Sequence, residues 1–217
     1  MRKFFILLIT FAPFITWGQQ YDSKKATEIL KKLEKKVDSF KSLHIEYGIL
    51  VENQQEQIQE RQEGKVTAQK SKFKLIASKG IEVYCDGKTK WTYMKDVQEV
   101  NIQDVDPEAD DIFSDPVKFL TGQRKDFKYN YKGLVQEDGK TFTEIDYHPK
   151  NTKAPYHTIR LHIDEKTLTP YSIKYMGRDG THYAVRIKSY MPDIDISNID
   201  FTFDPSKYSD IEVVDLR

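Results

Sequence analysis

The strongest constraint in this chain is a hydrophobic period of two residues. Apolar side chains alternate with polar ones in short segments: Ile45, Tyr47, Ile49 and Val51; Val66 to Ile76; Ile81 to Cys85; Lys90 to Met94; Gln98 to Ile102. The pattern resumes at Phe127, Tyr129 and Tyr131; Phe142, Ile145 and Tyr147; Ile159, Leu161 and Ile163; Tyr171, Ile173 and Tyr175; and Tyr183, Val185 and Ile187. Alternation of this kind marks strands with one buried face. Asp86-Gly87, Asp138-Gly139, Asp164-Glu165 and Asp179-Gly180 supply turn chemistry between them. About ten strands joined by short turns make an antiparallel sheet, because every parallel neighbour would need a crossover of a dozen or more residues. The Gln- and Glu-rich stretch from Glu52 to Gly64 has no apolar period and reads as a strand end plus a connection.

Two segments break the pattern. From Tyr21 to Leu43, Ala26, Ile29, Leu30, Leu33, Val37 and Phe40 recur at helical spacing among Lys and Glu, with Asp22 or Ser23 able to cap the first turn. Between Asp106 and Gly122, Ile112, Phe113, Val117, Phe119 and Leu120 are apolar at helical spacing, Pro107 suits a helix start and Pro116 divides the segment. So many sequential strands must curl or split into layers. The expected fold is mainly β, α+β by layer: an incomplete antiparallel barrel of about ten or eleven strands with a helical lid over an apolar cavity. One parity of strand residues, Ile45, Tyr47, Ile49, Phe73, Leu75, Trp91 and Tyr93, is expected to line the concave face. Leu30, Leu33, Val37, Ile112, Phe113, Phe119 and Leu120 are expected to roof it.

The amino terminus reads as a secretory signal peptide over residues 1–18. Arg2 and Lys3 precede an apolar run from Phe4 to Ile15, and Gly18 precedes Gln19. The run is shorter than the roughly 20 residues a spanning helix needs, and Pro13 interrupts it. The expectation is an exported, soluble domain over residues 19–217, and no cysteine stands near the cleavage site to take a lipid. The 34 Lys and Arg balance the 34 Asp and Glu of the 217-residue chain, with no basic stripe, so nucleic acid is set aside as a partner. Losing Arg2 and Lys3 leaves the mature chain slightly acidic.

Catalytic and metal constellations are missing from the sequence. The single cysteine, Cys85, excludes disulfides and Cys-rich metal sites. His44, His148, His157, His162 and His182 form no ligand pair at a fixed offset, and Asp104, Asp106, Glu108, Asp110 and Asp111 lack the offsets and glycine of a calcium loop. There is no GxSxG elbow and no phosphate-cradling glycine run. The expectation is a protein that is not an enzyme and has neither metal nor cofactor. The aromatic residues are the remaining signal: a concave sheet covered by detachable helices can admit an apolar ligand in place of its own packing.

One order of segments is distinctive. The helix ends in Ser39-Phe40, a strand spans Gly64 to Leu75, and the run Asp86-Gly87-Lys88-Thr89-Lys90-Trp91-Thr92-Tyr93 follows. Then come the Gln98-Glu99-Val100 strand, the Pro116 to Leu120 segment, Pro149 with the Ile159 to Ile163 strand, Asp179-Gly180-Thr181, and a closing Phe201-Thr202-Phe203-Asp204-Pro205. The mature chain thereby resembles the periplasmic outer-membrane lipoprotein carrier family, LolA. The resemblance implies a monomeric periplasmic chaperone without enzymatic activity. Such a protein takes the acyl chains of lipoproteins from an inner-membrane lipoprotein-releasing ABC transporter and delivers them to an outer-membrane acceptor protein or lipid. Many members carry an Arg-Pro pair before a Phe-x-Trp strand, and that arginine latches the lid. Here Gln69 and Lys70 match the pair, Phe73 is kept and Leu75 replaces the tryptophan, so Gln69 and Lys70 are the candidate gate and the latch lacks a five-donor fork. Alternatives are a periplasmic binder of another amphiphile, such as a glycolipid or pigment intermediate, a small outer-membrane β-barrel, and a hydrolase with an unrecognised acid–base pair.

Overall fold

The computed structural model describes residues 23–106 and 126–217. The expected signal peptide and the Pro107 to Leu120 lid, with Ile112, Phe113, Phe119 and Leu120, lie outside the described residues.

Helix α1 spans Ser23–Asp38, and its buried residues Ala26, Ile29, Leu30 and Leu33 repeat at the spacing that forms one stripe. Lys35 and Lys36 sit in its last turn, where cations favour the carbonyl end of the helix dipole. The chain leaves the helix where the Ser39 hydroxyl donates to the Lys36 carbonyl at 2.6 Å.

Twelve strands follow: β1 (Leu43–Asn53), β2 (Ile58–Gln69), β3 (Lys72–Ala77), β4 (Ile81–Cys85), β5 (Thr89–Met94), β6 (Glu99–Asp104), β7 (Phe127–Glu137), β8 (Lys140–Pro149), β9 (Tyr156–Asp164), β10 (Thr169–Gly177), β11 (Thr181–Pro192) and β12 (Glu212–Asp215). They form one open sheet in the order β12-β6-β5-β4-β3-β2-β1-β11-β10-β9-β8-β7. Two antiparallel meanders, β1–β6 and β7–β11, are joined by the pairing of β1 with β11, while β12 lies parallel to β6. The barrel is incomplete, as expected, with β12 and β7 as the end strands of the sheet and, among the described residues, one strand beyond the expected count.

Register shifts at Glu46/Tyr47 between β1 and β11, at Tyr131/Gly133 between β7 and β8, and at Pro170/Ser172 between β9 and β10 bend and twist the strands. The sheet curls far enough that one apolar cluster unites α1, β1 to β4 and β7 to β11. A second, smaller cluster forms on the other face, where Phe203 meets Tyr84, Tyr93 and Val100.

Three expectations change. The alternating segment Val66 to Ile76 is two strands joined by a tight turn at Lys70-Ser71, and Lys70 there adopts φ +54°. The Glu52 to Gly64 stretch is mostly strand: β1 runs to Asn53 and β2 begins at Ile58, because paired backbone holds this exposed arm together without an apolar face. The Asn53 side chain accepts from the N–H groups of Gln55 and Glu56, which shapes the turn. The third change is β12, whose strand character comes from its pairing with β6.

Candidate functional site

The registers decide which side chains share a face, since directly opposed residues point the same way. Leu43 pairs with Ala68 and Ala68 with Phe73, while Ile45 pairs with Val66 and Val66 with Leu75. Across the other side of β1, Ile45 opposes Tyr190 and Ile49 opposes Val185, and the row continues through Ile173, Leu161 and Ile145. These residues form the concave face on which the α1 stripe packs. Ile45, Phe73 and Leu75 are buried there, and Tyr47 and Ile49 are half-buried against them. Leu30 and Leu33 are fully buried in the same cluster, and Val37 packs at its border.

Trp91 and Tyr93 belong to the opposite, convex face. Val83 and Cys85 follow Leu75 and Phe73 onto the concave side, so Tyr84 and Glu82 point outward, and they are the partners of Trp91 and Tyr93. The single parity expected for the cavity therefore fails at β5, because face assignment must be carried strand by strand through each turn. The motif that carries the resemblance has a structural role here. The Asp86 carboxylate accepts from the N–H groups of Lys88 and Thr89 at 2.8 Å each, and Gly87 turns the chain at φ +92°. Burial opposes the Asp86 charge, but those two N–H groups hold its pKa below the ordinary value. Tyr93 then meets Phe203 at a tilt, ring centroids 4.9 Å apart.

Gln69 and Lys70 are not brought to the concave face. Gln69 opposes Lys72, one step out of phase with the Ala68–Phe73 pair, and so points to the convex side. Lys70 is exposed in the turn. A latch at these positions would have to act from the wrong side of the sheet.

Charge is sorted between the faces. Among the described residues the two buried carboxylates are Glu82 and Asp146, both convex. Asp146 accepts two hydrogen bonds from the Arg160 guanidinium at 2.7 and 2.9 Å. Beside them His162 lies 3.1 Å from Glu137 and 3.0 Å from Glu144, and Arg186 pairs with Glu137 and Asp138. Of this network, Glu137, Glu144, Arg160, His162 and Arg186 line a cavity of about 270 Å³ on the convex side. Its cations and carboxylates satisfy one another, which suits a structural brace between strands better than a reaction centre. Among the described residues no group of three His, Cys, Asp or Glu side chains is placed to hold a metal ion.

The concave face is apolar but carries phenols. Burial pushes the Tyr47 hydroxyl up to about 12, so it stays neutral. The Tyr190 hydroxyl is buried with no hydrogen-bond partner among the described residues, as is that of Thr143, which opposes Ile163 on the same face. Each such group costs about 1–3 kcal/mol of lost hydration. Sequence reasoning missed Tyr190 and the β7–β11 half of the face. The alternation marked those strands, but nothing in it said which parity would meet β1.

What this arrangement can do is hold an apolar ligand between a curled sheet and the amphipathic helix α1, with the buried carboxylates Glu82 and Asp146 on the other face. Among the described residues no helix is long and apolar enough to cross a membrane. Among curated proteins, the chain is similar to an uncharacterized protein of Methanocaldococcus jannaschii, 22% identical over 204 residues. That alignment takes in 94% of this chain but 58% of the relative, so the chain spans little more than half its length. Among solved structures, an uncharacterized conserved protein of Thermus thermophilus superposes with a TM-score of 0.54 at 14% identity, covering 88% of this chain and 99% of the other. The Pseudomonas aeruginosa MucA/MucB complex contains a chain matched at a TM-score of 0.46 and 12% identity, over 80% of this chain and 59% of that one. The model of one family aligns with residues 38–204, from the end of α1 through Phe203 and Asp204, and by that match the chain belongs to the outer membrane lipoprotein carrier protein LolA family.

Proposed function

We propose that this protein is a periplasmic carrier that binds the acyl chains of lipoproteins on its concave face and conveys them from the inner to the outer membrane. The observation that carries the reading is the sorting of the two faces: a continuous apolar surface under one amphipathic helix, with the buried carboxylates on the far side. An acyl chain of roughly 14 methylenes at about 0.8 kcal/mol each resists water by on the order of 11 kcal/mol. Crossing an aqueous compartment therefore requires a protein that covers the chain. On this reading the donor is an inner-membrane lipoprotein-releasing ABC transporter and the recipient an outer-membrane acceptor protein or the lipid itself. The protein acts by binding and release, with no bond made or broken.

The test is mass spectrometry of what copurifies with the protein from an osmotic-shock fraction, followed by transfer of the cargo to outer-membrane vesicles. Acylated lipoproteins recovered in the complex and passed to the vesicles are the expected result. Recovery of a glycolipid or pigment intermediate instead would assign the same face to another amphiphile. Retention of the protein in the membrane fraction would end the carrier reading.

A further inference from the structure

We propose that Tyr190 is the polar anchor of the concave face, donating a hydrogen bond to the carbonyl oxygen of an acyl linkage, so that the protein selects acylated ligands over plain hydrocarbon. The inference rests on the carrier reading and adds to it a determinant of specificity.

Tyr190 opposes Ile45, which is fully buried, and so stands on the concave face. Phe40, just beyond the end of α1, meets its ring edge-on with centroids 6.3 Å apart. The side chain thus sits where helix, β1 and β11 converge, packed against the main apolar cluster. Its hydroxyl is buried and has no hydrogen-bond partner among the described residues. Phenylalanine would fill the same volume without stranding a polar group, so the hydroxyl costs free energy unless an acceptor reaches it. A ligand that supplies an acceptor removes that cost. Burial pushes the phenol's pKa up, which keeps its proton in place as a donor. A phenol proton needs an oxygen acceptor, and the acyl chain's methylenes have none. The ester or amide carbonyl at the head of the chain is the acceptor nearest to the apolar part.

The decisive experiment compares a synthetic lipopeptide bearing ester-linked diacylglycerol with its ether-linked counterpart of equal chain length, and with an N-acyl amide lipopeptide. Each competes for the full protein against an environment-sensitive apolar dye. One neutral hydrogen bond predicts that the parent binds the ester about tenfold more tightly than the ether. Tyr190→Phe should lose that preference, bind the ether as the parent does, and unfold at the same temperature as the parent or higher. If the amide shows the same loss as the ester, either linkage serves; if only one does, that linkage is the anchored one. A second measurement needs no variant: the band of a ¹³C-labelled ester carbonyl bound to the parent should fall at lower frequency than in hexane. An undiminished ester preference in Tyr190→Phe, or an unshifted carbonyl band, overturns the anchor and leaves the carrier reading standing. Failure of the parent to bind any of the three lipids overturns both.

Discussion

Gly64 owes its missing side chain to Tyr47. The two oppose each other across β1 and β2, and a Cβ on Gly64 would lie 2.5 Å from the Tyr47 hydroxyl and 3.0 Å from the Ile76 carbonyl. The aromatic ring covers the glycine, so a half-buried tyrosine and a bare backbone replace an ordinary cross-strand pair. Gly64→Ala should therefore destabilise by about 1–3 kcal/mol, the usual cost of overpacking. In the Tyr47→Ala background the same change should cost much less, since only the carbonyl contact is left. Urea unfolding of the four proteins of this cycle measures the coupling. Equal costs in both backgrounds would locate the strain in the Ile76 contact alone.

At the scale of elements, the C-terminal segment acts as a clasp on the convex face. Phe203 fills the cluster of Tyr84, Tyr93 and Val100, Tyr208 stacks on Phe203 at 4.8 Å, and β12 extends the sheet at β6. Three carboxylates lie in it or beneath it, Asp204 and Asp215 within the segment and Glu82 under it. Burial opposes the charge of Glu82, but hydrogen bonds from Lys95 and Tyr84 leave its pKa below the ordinary value of 4.5. Ser206 lowers Asp204, and Arg217 holds Asp215 at about 2. A carboxylate whose folded pKa lies below its unfolded one stabilises above the unfolded value and loses that contribution as pH falls through the folded one. The clasp should therefore loosen as pH drops from near 4.5 toward about 2. Amide exchange at Glu212–Asp215, corrected for intrinsic rates, should accelerate in that window before exchange in β8 and β9 does. Glu82→Gln should weaken the dependence. Simultaneous loss of protection in all three strands would mean that the clasp is no separate unit.

Viewed as a whole molecule, the protein packs its helix on the same apolar face that the proposed cargo would occupy. Ala26, Leu30 and Leu33 are fully buried against the sheet, so an acyl chain entering there displaces contacts that α1 makes when no cargo is bound. Adding a diacyl lipopeptide should raise the urea midpoint of the protein through linkage, while amide exchange within residues 26–37 speeds up. Increased protection of α1 on binding would place the cargo away from the helix. Leu33→Ala should cost about 2–5 kcal/mol of stability in the empty protein. It should cost less in the loaded one, where the leucine has already given way.

What the sequence determined alone was local. A two-residue period and one amphipathic stripe suffice to make strands and a helix, because each depends on the geometry of neighbouring residues, and the antiparallel meanders follow from the short connections. The Asp86-Gly87 turn was equally legible, since the carboxylate and the glycine supply its hydrogen bonds and its positive φ themselves. Turns without that chemistry were not: Lys70, Gln57 and Gln98 all take positive φ at a steric cost that the paired strands around them offset. Tertiary structure alone decided which parity of each strand faces inward, because a tight turn or a one-residue bulge inverts the sense without leaving a mark in the alternation. That is why Ile45 and Phe73 share the face that α1 covers while Trp91 and Tyr93 lie on the other, and why the alternation alone does not place Tyr190. The pairing of β1 with β11, across most of the chain, sets the last of these positions, and no local pattern records a contact between residues so far apart.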